Sequence, residues 1–325
     1  GRATYFLTVN RNKHSVALDL KDPEDLKLAA ELARRADVLI ENFRPGTMER
    51  FGLDFETVRK DNQGIVYCSI TGFGRGEGAA LPGYDPLVQA LSGLMSVTGP
   101  PDGEASKVGV ALVDVIAGLN ASNGILAALR VRDATGEGQR VEIDLLSTAL
   151  SALANQASSY LNTGVAPSRL GNVHPSIEPF STYAAADGPM MICAGNDRHF
   201  ALLAQVLGVP ELAGDERYSS NGSRVENREA LRAEIEVQLA ERPVADWVED
   251  LSFAGVPAGP VNDIEGGFDL AESLGLDVVD EIDGIRIPAS PIKLSEDPPE
   301  TRVAPPELDG QGEMLRAWLA GPDLS

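Results

Sequence analysis

Cysteine, histidine, tryptophan and cationic side chains are all scarce in this chain, and each shortage closes a class of function. The two cysteines, Cys68 and Cys193, stand far apart without metal-ligand spacing. They read as two buried free thiols of a reducing cytoplasm. Three histidines are present, His14, His174 and His199. None falls in an H-E-x-x-H, and no G-x-S-x-G exists to pair with one, so a zinc centre or a histidine-based triad has no support and no metal is expected. Lys and Arg number 27 against 49 Asp and Glu, a formal charge of −22. A surface this acidic repels phosphate backbones and anionic lipid faces, which argues against a nucleic-acid or membrane partner. No unbroken apolar run approaches the roughly 18 residues of a membrane span, and no signal peptide is expected at Gly1. Dinucleotide and nucleoside-triphosphate sites lack their markers, since neither G-x-G-x-x-G nor a P-loop occurs.

What remains is 43% hydrophobic, enough to build cores, and at ~150 residues per domain the length suggests two domains. Residues 15–20 (SVALDL) alternate like a strand, and 24–35 place Leu26, Ala29, Ala30, Leu32 and Ala33 at helical spacing behind Pro23. Apolar strands follow at 37–40 and 64–70, each ending in a loop: Glu41-Asn42-Phe43-Arg44-Pro45-Gly46 and Thr71-Gly72-Phe73-Gly74. Alternating strands and helices with short loops predict βαβ units, a mostly parallel sheet and a ligand site at the strands' carboxyl ends. Helices are predicted over 85–97, 114–130 and 147–161, with a strand at 140–145. Beyond residue 163 the texture changes. A hairpin is expected over 181–195, turning at Asp187-Gly188, then helices at 198–207, 228–239 and 245–253, further strands within 255–263 and 282–287, and a last helix near 313–319.

Asp114 stands where an apolar stretch turns into a long helix. Its carboxylate is either an N-cap or a nucleophile, since a carboxylate attacking a thioester splits one acyl transfer into two easier steps. Asp85, beside Tyr84, either orients the site or caps its own helix. Arg11, Lys13, Lys21, Arg44 and Arg50 gather near the first predicted strand ends. They are either solvated surface or, in so acidic a chain, a local site for an anionic, phosphate-bearing ligand.

Eight stretches then recur in a familiar order: 6–21 (FLTVNRNKHSVALDLK), 41–53 (ENFRPGTMERFGL), 69–74 (SITGFG), 83–93 (GYDPLVQALSG), 114–129, 135–145 (TGEGQRVEIDL), 171–179 (GNVHPSIEP) and 255–263 (GVPAGPVND). The sequence resembles the class III CoA-transferase family, also called the L-carnitine dehydratase / bile-acid-inducible family, over nearly its whole length. The resemblance implies an α/β fold: a Rossmann-like large CoA-binding domain (1–171), a smaller α+β domain (172–288) and a C-terminal segment (289–325) packing back on the large domain, in an interlocked homodimer. It implies an acyl-CoA:carboxylate CoA-transferase that takes acyl-CoA and a carboxylic acid acceptor as substrates and holds no tightly bound cofactor. Asp114 matches the family's catalytic aspartate, which passes through an aspartyl anhydride and an aspartyl-CoA thioester. CoA contacts carried over by position are Leu18, Lys21, Asn42, Phe43, Arg44, Thr47, Arg50, Phe51 and Tyr84, with Tyr84 also in the catalytic pair.

The racemases of the family carry histidine where this chain has Tyr84. Tyrosine, with an ordinary phenol pKa of about 10, is a poor base at neutral pH, so transfer is favoured over racemisation of 2-methylacyl-CoA. A catalytically silent homologue with a binding role is the third reading. It is motivated by the strand and helix, with an Ala-Gly-Pro turn, that open family members and precede the residues matched here. The glycine-rich lid of formyl-CoA transferase is not recognisable in the second half.

Overall fold

The computed structural model describes residues 3–321, which form two compact units. The first gathers the residues up to Met95, Lys107–Ala166 and those from Ala271 onward; the second comprises Ser96–Ser106 and Pro167–Leu270.

The first unit is built on a parallel sheet of three strands, β1 (Val38–Glu41), β2 (Val66–Thr71) and β3 (Arg140–Asp144), in the order β1-β2-β3. Val38 lies opposite Val66, and Tyr67 opposite Arg140. Central β2 buries Val66, Tyr67, Cys68 and Ser69 in succession, as expected of a parallel strand covered on both faces. Helix Pro23–Arg35 starts as its sequence predicts, with proline in the first turn and the Asp22 carboxylate accepting from the Glu24 and Asp25 N–H groups. One apolar cluster joins this helix to the sheet through Ala33, Phe55, Val58, Ile65 and Tyr67. A second, of Val88, Val113, Ala117, Leu145 and Ala149, binds helices Asp85–Leu91, Leu112–Thr135 and Leu145–Ala152 to one another.

The second unit carries an antiparallel sheet, β4 (Phe180–Ala184), β5 (Pro189–Cys193) and β6 (Ala258–Pro260). Helices Asp197–Val206, Arg228–Leu239 and Val244–Phe253 cover it, and Tyr183, Ile192, Leu203, Leu231, Ile235 and Leu251 fill the core. Arg224 is fully buried there, donating to the carbonyls of Glu178 (2.8 Å) and Tyr218 (3.0 Å) and to Asp197 (2.7 Å). A last hairpin, β7 (Val279–Ile282) and β8 (Ile285–Pro288), belongs to the first unit, where Arg11 donates to the Pro288 carbonyl at 2.6 Å. The second unit therefore runs from 167 to 270 with 96–106 added, not from 172 to 288.

Several local expectations are corrected. Residues 15–20 form no strand and join no sheet. Their backbone is satisfied by the C-terminal segment instead: Ser15 N–H to Gln311 Oε1 at 2.9 Å, Ala17 N–H to Asp309 Oδ1 at 2.8 Å, and Arg316 to the Ala17 carbonyl at 2.8 Å. The helix predicted over 85–97 breaks at Gly93 (φ 88°) and that over 147–161 at Ala154 (φ 43°). Leu112–Thr135 is long and apolar enough, by length and composition, to cross a membrane. Gly118, Asn120, Ser122 and Asn123 interrupt it, so the sequence shows no unbroken run. It buries Val113, Ala117, Ala121 and Ala128 against its unit and leaves Val115, Leu119 and Leu126 exposed.

Candidate active site

The three parallel strands end around one cavity of about 570 Å³ in the first unit. Asn42–Pro45 after β1, Ile70–Gly74 at the end of β2 and Leu145 just after β3 form part of its wall. Leu81–Tyr84 and the opening turns of helix Leu112–Thr135, with Asp114, Ala117 and Gly118, close the rest. This is where a parallel α/β sheet offers a crevice.

Each wall segment is held by a specific bond. Buried Glu41 accepts from the Phe43 N–H at 2.9 Å, folding the turn that carries Arg44 over the end of β1. Thr71 Oγ1 accepts from the Gly74 N–H at 3.0 Å, and the Gly72 carbonyl accepts from the Leu146 N–H at 3.1 Å. Gly72 and Gly83 cross so closely that a Cβ on either would lie 2.4–2.5 Å from the other's Cα. Only glycine permits that approach, and it fixes the Gly83-Tyr84 segment against the end of β2. Tyr84 is 67% exposed and lines the cavity.

Asp114 is neither the cap nor the first residue of its helix; the helix starts at Leu112, and Ala111 before it supplies no side-chain cap. The cap comes from another helix. Asp85 Oδ2 accepts from the Val113 N–H at 2.8 Å and the Asp114 N–H at 3.1 Å. Asp85 therefore caps the helix of Asp114 and not its own, whose N-terminus has no side-chain cap bond. Partial removal from water, and then the negative charge of Asp85, push the Asp114 carboxyl above its ordinary range. A more basic carboxylate is the stronger nucleophile once ionised.

Residues 1–312 match the CoA-transferase family III model. The chain is 40% identical over 325 residues to the acetyl-CoA:oxalate CoA-transferase of Acetobacter aceti, covering 99% of this chain and 84% of that one. It is 41% identical over 321 residues to the succinate–glutarate CoA-transferase of Agrobacterium fabrum, covering 96% and 80%. The crystal structure of a CAIB/BAIF family protein from Brucella suis superposes with a TM-score of 0.89 at 39% identity, covering 98% of this chain and 84% of that one. The chain belongs to CoA-transferase family III. It is an enzyme of CoA transfer, and its mixed α/β architecture with a parallel sheet is that of its structural relatives.

In this family III CoA-transferase, the cavity brings together Asn42, Phe43, Arg44, Tyr84 and Asp114 of the sequence-derived site. Leu18, Lys21, Thr47, Arg50 and Phe51 lie in the same unit but outside the cavity wall. Of the five clustered cations, Arg44 lines the cavity; Lys13 bonds Asn10 and Arg50 bonds Thr47. Sequence reasoning missed Glu41, Gln89 and the Gly72–Gly83 crossing. Gln89 had a legible signal: it lies one turn after Asp85 and next to buried Val88, a polar pair on a helix face turned inward. The glycine crossing was not legible: Gly72 and Gly83 each stand in a recognised stretch, but nothing local says that the two backbones touch.

Proposed function

We propose that the enzyme moves CoA from a donor acyl-CoA to an acceptor carboxylate through covalent intermediates on Asp114. The observation that carries this reading is the placement of Asp114: a carboxylate of raised basicity on the wall of a cavity at the carboxyl ends of the sheet. Its carboxylate attacks the thioester carbonyl of the donor, the C–S bond breaks, and a mixed anhydride and CoA thiolate result. The thiolate then attacks the aspartyl carbonyl of the anhydride, expelling the donor acid and leaving an aspartyl-CoA thioester. The acceptor carboxylate attacks that thioester, again releasing thiolate. Thiolate attack on the acceptor's acyl carbonyl then forms the product thioester and frees Asp114.

The nucleophile needs no proton removed, so no strong base is required; the wall's task is to orient the thioester and carry charge. Tyr84 offers a hydroxyl donor for oxygen that becomes negative during attack. Arg44 offers a cation for the anionic parts of CoA or for a carboxylate. Leu18, Lys21, Thr47, Arg50 and Phe51 extend this binding surface beyond the cavity. Short carboxylic acids of the kinds named for the relatives, oxalate, succinate and glutarate, are the donor and acceptor class. Exposed Val115, Leu119, Leu126 and Leu161 suit cover by a second copy in a homodimer.

The test is trapping. Incubation with succinyl-CoA or acetyl-CoA and hydroxylamine should convert Asp114 to a hydroxamate detectable in the peptide mass. An unlabelled Asp114 in enzyme that is turning over would refute the covalent route.

A further inference from the structure

We infer that Asp85 and Gln89 are positioning residues for Asp114, their buried side chains holding the first turn of the Leu112–Thr135 helix in the wall of the cavity. The inference rests on Asp114 as nucleophile and deepens that reading. Asp85 is 4% exposed and Gln89 fully buried. Asp85 uses one oxygen for the Val113 and Asp114 amides; the other accepts from Gln89 Nε2 at 2.5 Å. Gln89 Oε1 in turn accepts from the Val108 N–H at 2.9 Å, and its amide reaches the Val110 carbonyl at 3.4 Å. One side-chain pair thus ties together the helix after Tyr84, the approach 108–110 and the turn that presents the nucleophile.

A carboxylate buried this deeply is expensive unless its oxygens are satisfied. Here two helix-terminal amides and a side-chain amide satisfy it, and the helix N-terminus favours its charge. A neutral asparagine could still accept from the two amides, though its NH2 would meet Gln89 Nε2, donor against donor. What a carboxylate adds is a fixed negative charge behind Asp114, facing it across the first turn, and this is one cause of the raised Asp114 basicity. Arg44 and Tyr84 are the other titratable or charged groups on the cavity wall with Asp114; β3, packed against the same helix, carries Arg140, Glu142 and Asp144, of which Glu142 and Asp144 line a separate pocket. Helices Leu94–Val97 and Leu145–Ala152 carry none.

Asp85→Asn keeps an acceptor for the two amides, removes the charge and sets its own NH2 against Gln89 Nε2, so the bond to Gln89 is lost with the charge. Its kcat should fall roughly tenfold, with KM for acyl-CoA within about twofold and the acid limb of kcat shifted to lower pH. Asp85→Ala and Gln89→Met remove the cap or its brace. Where they fold, they should lower kcat by up to ~10²-fold and speed hydrogen exchange at the Val113 and Asp114 amides. Asp85→Asn with a wild-type kcat and acid limb, or a loss confined to KM, would overturn the inference even if Asp85→Ala fails to fold. Unchanged exchange at Val113 and Asp114 in Gln89→Met would remove the part given to Gln89. The underlying reading fails separately: a fully active Asp114→Asn would sink the nucleophile while leaving the exchange result intact.

Discussion

Replacing Gly83 with alanine sets a methyl carbon 2.5 Å from the Cα of Gly72 and 2.9 Å from its nitrogen. Carbon atoms rest about 3.5–4.0 Å apart, so the turn after β2 or the Gly83 loop must retreat by about 1 Å. Both obstacles are backbone, and neither can rotate away. Overpacking of this kind costs about 1–3 kcal/mol, which a protein of ordinary stability, about 5–15 kcal/mol, survives. The chemistry is less tolerant. The displaced segment carries Tyr84 and leads directly into Asp85, and a shift of about 1 Å in positioning groups costs ~10²-fold in rate. Gly83→Ala should therefore fold, unfold at a lower urea concentration with an unchanged slope, and transfer CoA far more slowly at 25 °C than its stability explains. Gly267→Ala, inside helix Ile264–Ser273, meets nothing within 4 Å and serves as the control, expected to be at least as stable as wild type and within about twofold in turnover. Wild-type turnover and midpoint in Gly83→Ala would show that the crossing positions nothing.

Asp114→Asn should lose at least ~10³-fold in kcat yet gain stability at neutral pH. The folded-state pKa of Asp114 is raised above its usual 3.8, so the native protein binds the proton more tightly than the unfolded chain. Stability then falls as pH rises from the usual value through the raised one, and the asparagine variant is free of that loss. Urea titrations of both proteins at pH 4 and pH 7 check this; a variant less stable at pH 7 would contradict it. Gly138→Ala puts a methyl 1.9 Å from the Ile65 carbonyl oxygen and should destabilise the sheet by about 3 kcal/mol or more, read as a lower thermal midpoint. Arg224→Met leaves the buried Glu178 and Tyr218 carbonyls without their donor and should cost about 2–4 kcal/mol, seen as early unfolding of the second unit by hydrogen exchange.

The parallel sheet was legible because β1 and β2 are short apolar runs followed by loops and β3 alternates apolar and charged residues between two helices, and strand-end loops of such sheets hold ligands. Asp114, Tyr84 and the Asn42–Arg44 turn were legible for the same reason together with the family resemblance. Residues 15–20 misled because alternation records which side chains are inward, not which backbone satisfies the N–H groups; here Gln311 and Asp309 do, nearly three hundred positions away. The role of Asp85 was half legible. Its type announced a cap, but nothing local told that the capped helix begins at Leu112, because that bond joins elements 28 residues apart.

The clasp between residues 15–25 and 309–316 has a consequence for how the protein is made. Gln311, Asp309 and Arg316 bond Ser15, Ala17 and Asp25 across sequence separations of 291–296 residues. The second unit needs nothing beyond Leu270 and can close while translation continues. The unit that houses the active site cannot. It holds residues 15–25 without these partners until residues 309–316 have been made, so the catalytic half is the late-folding half. A ribosome stalled after residue 300 would display a finished second unit beside an unfinished catalytic one.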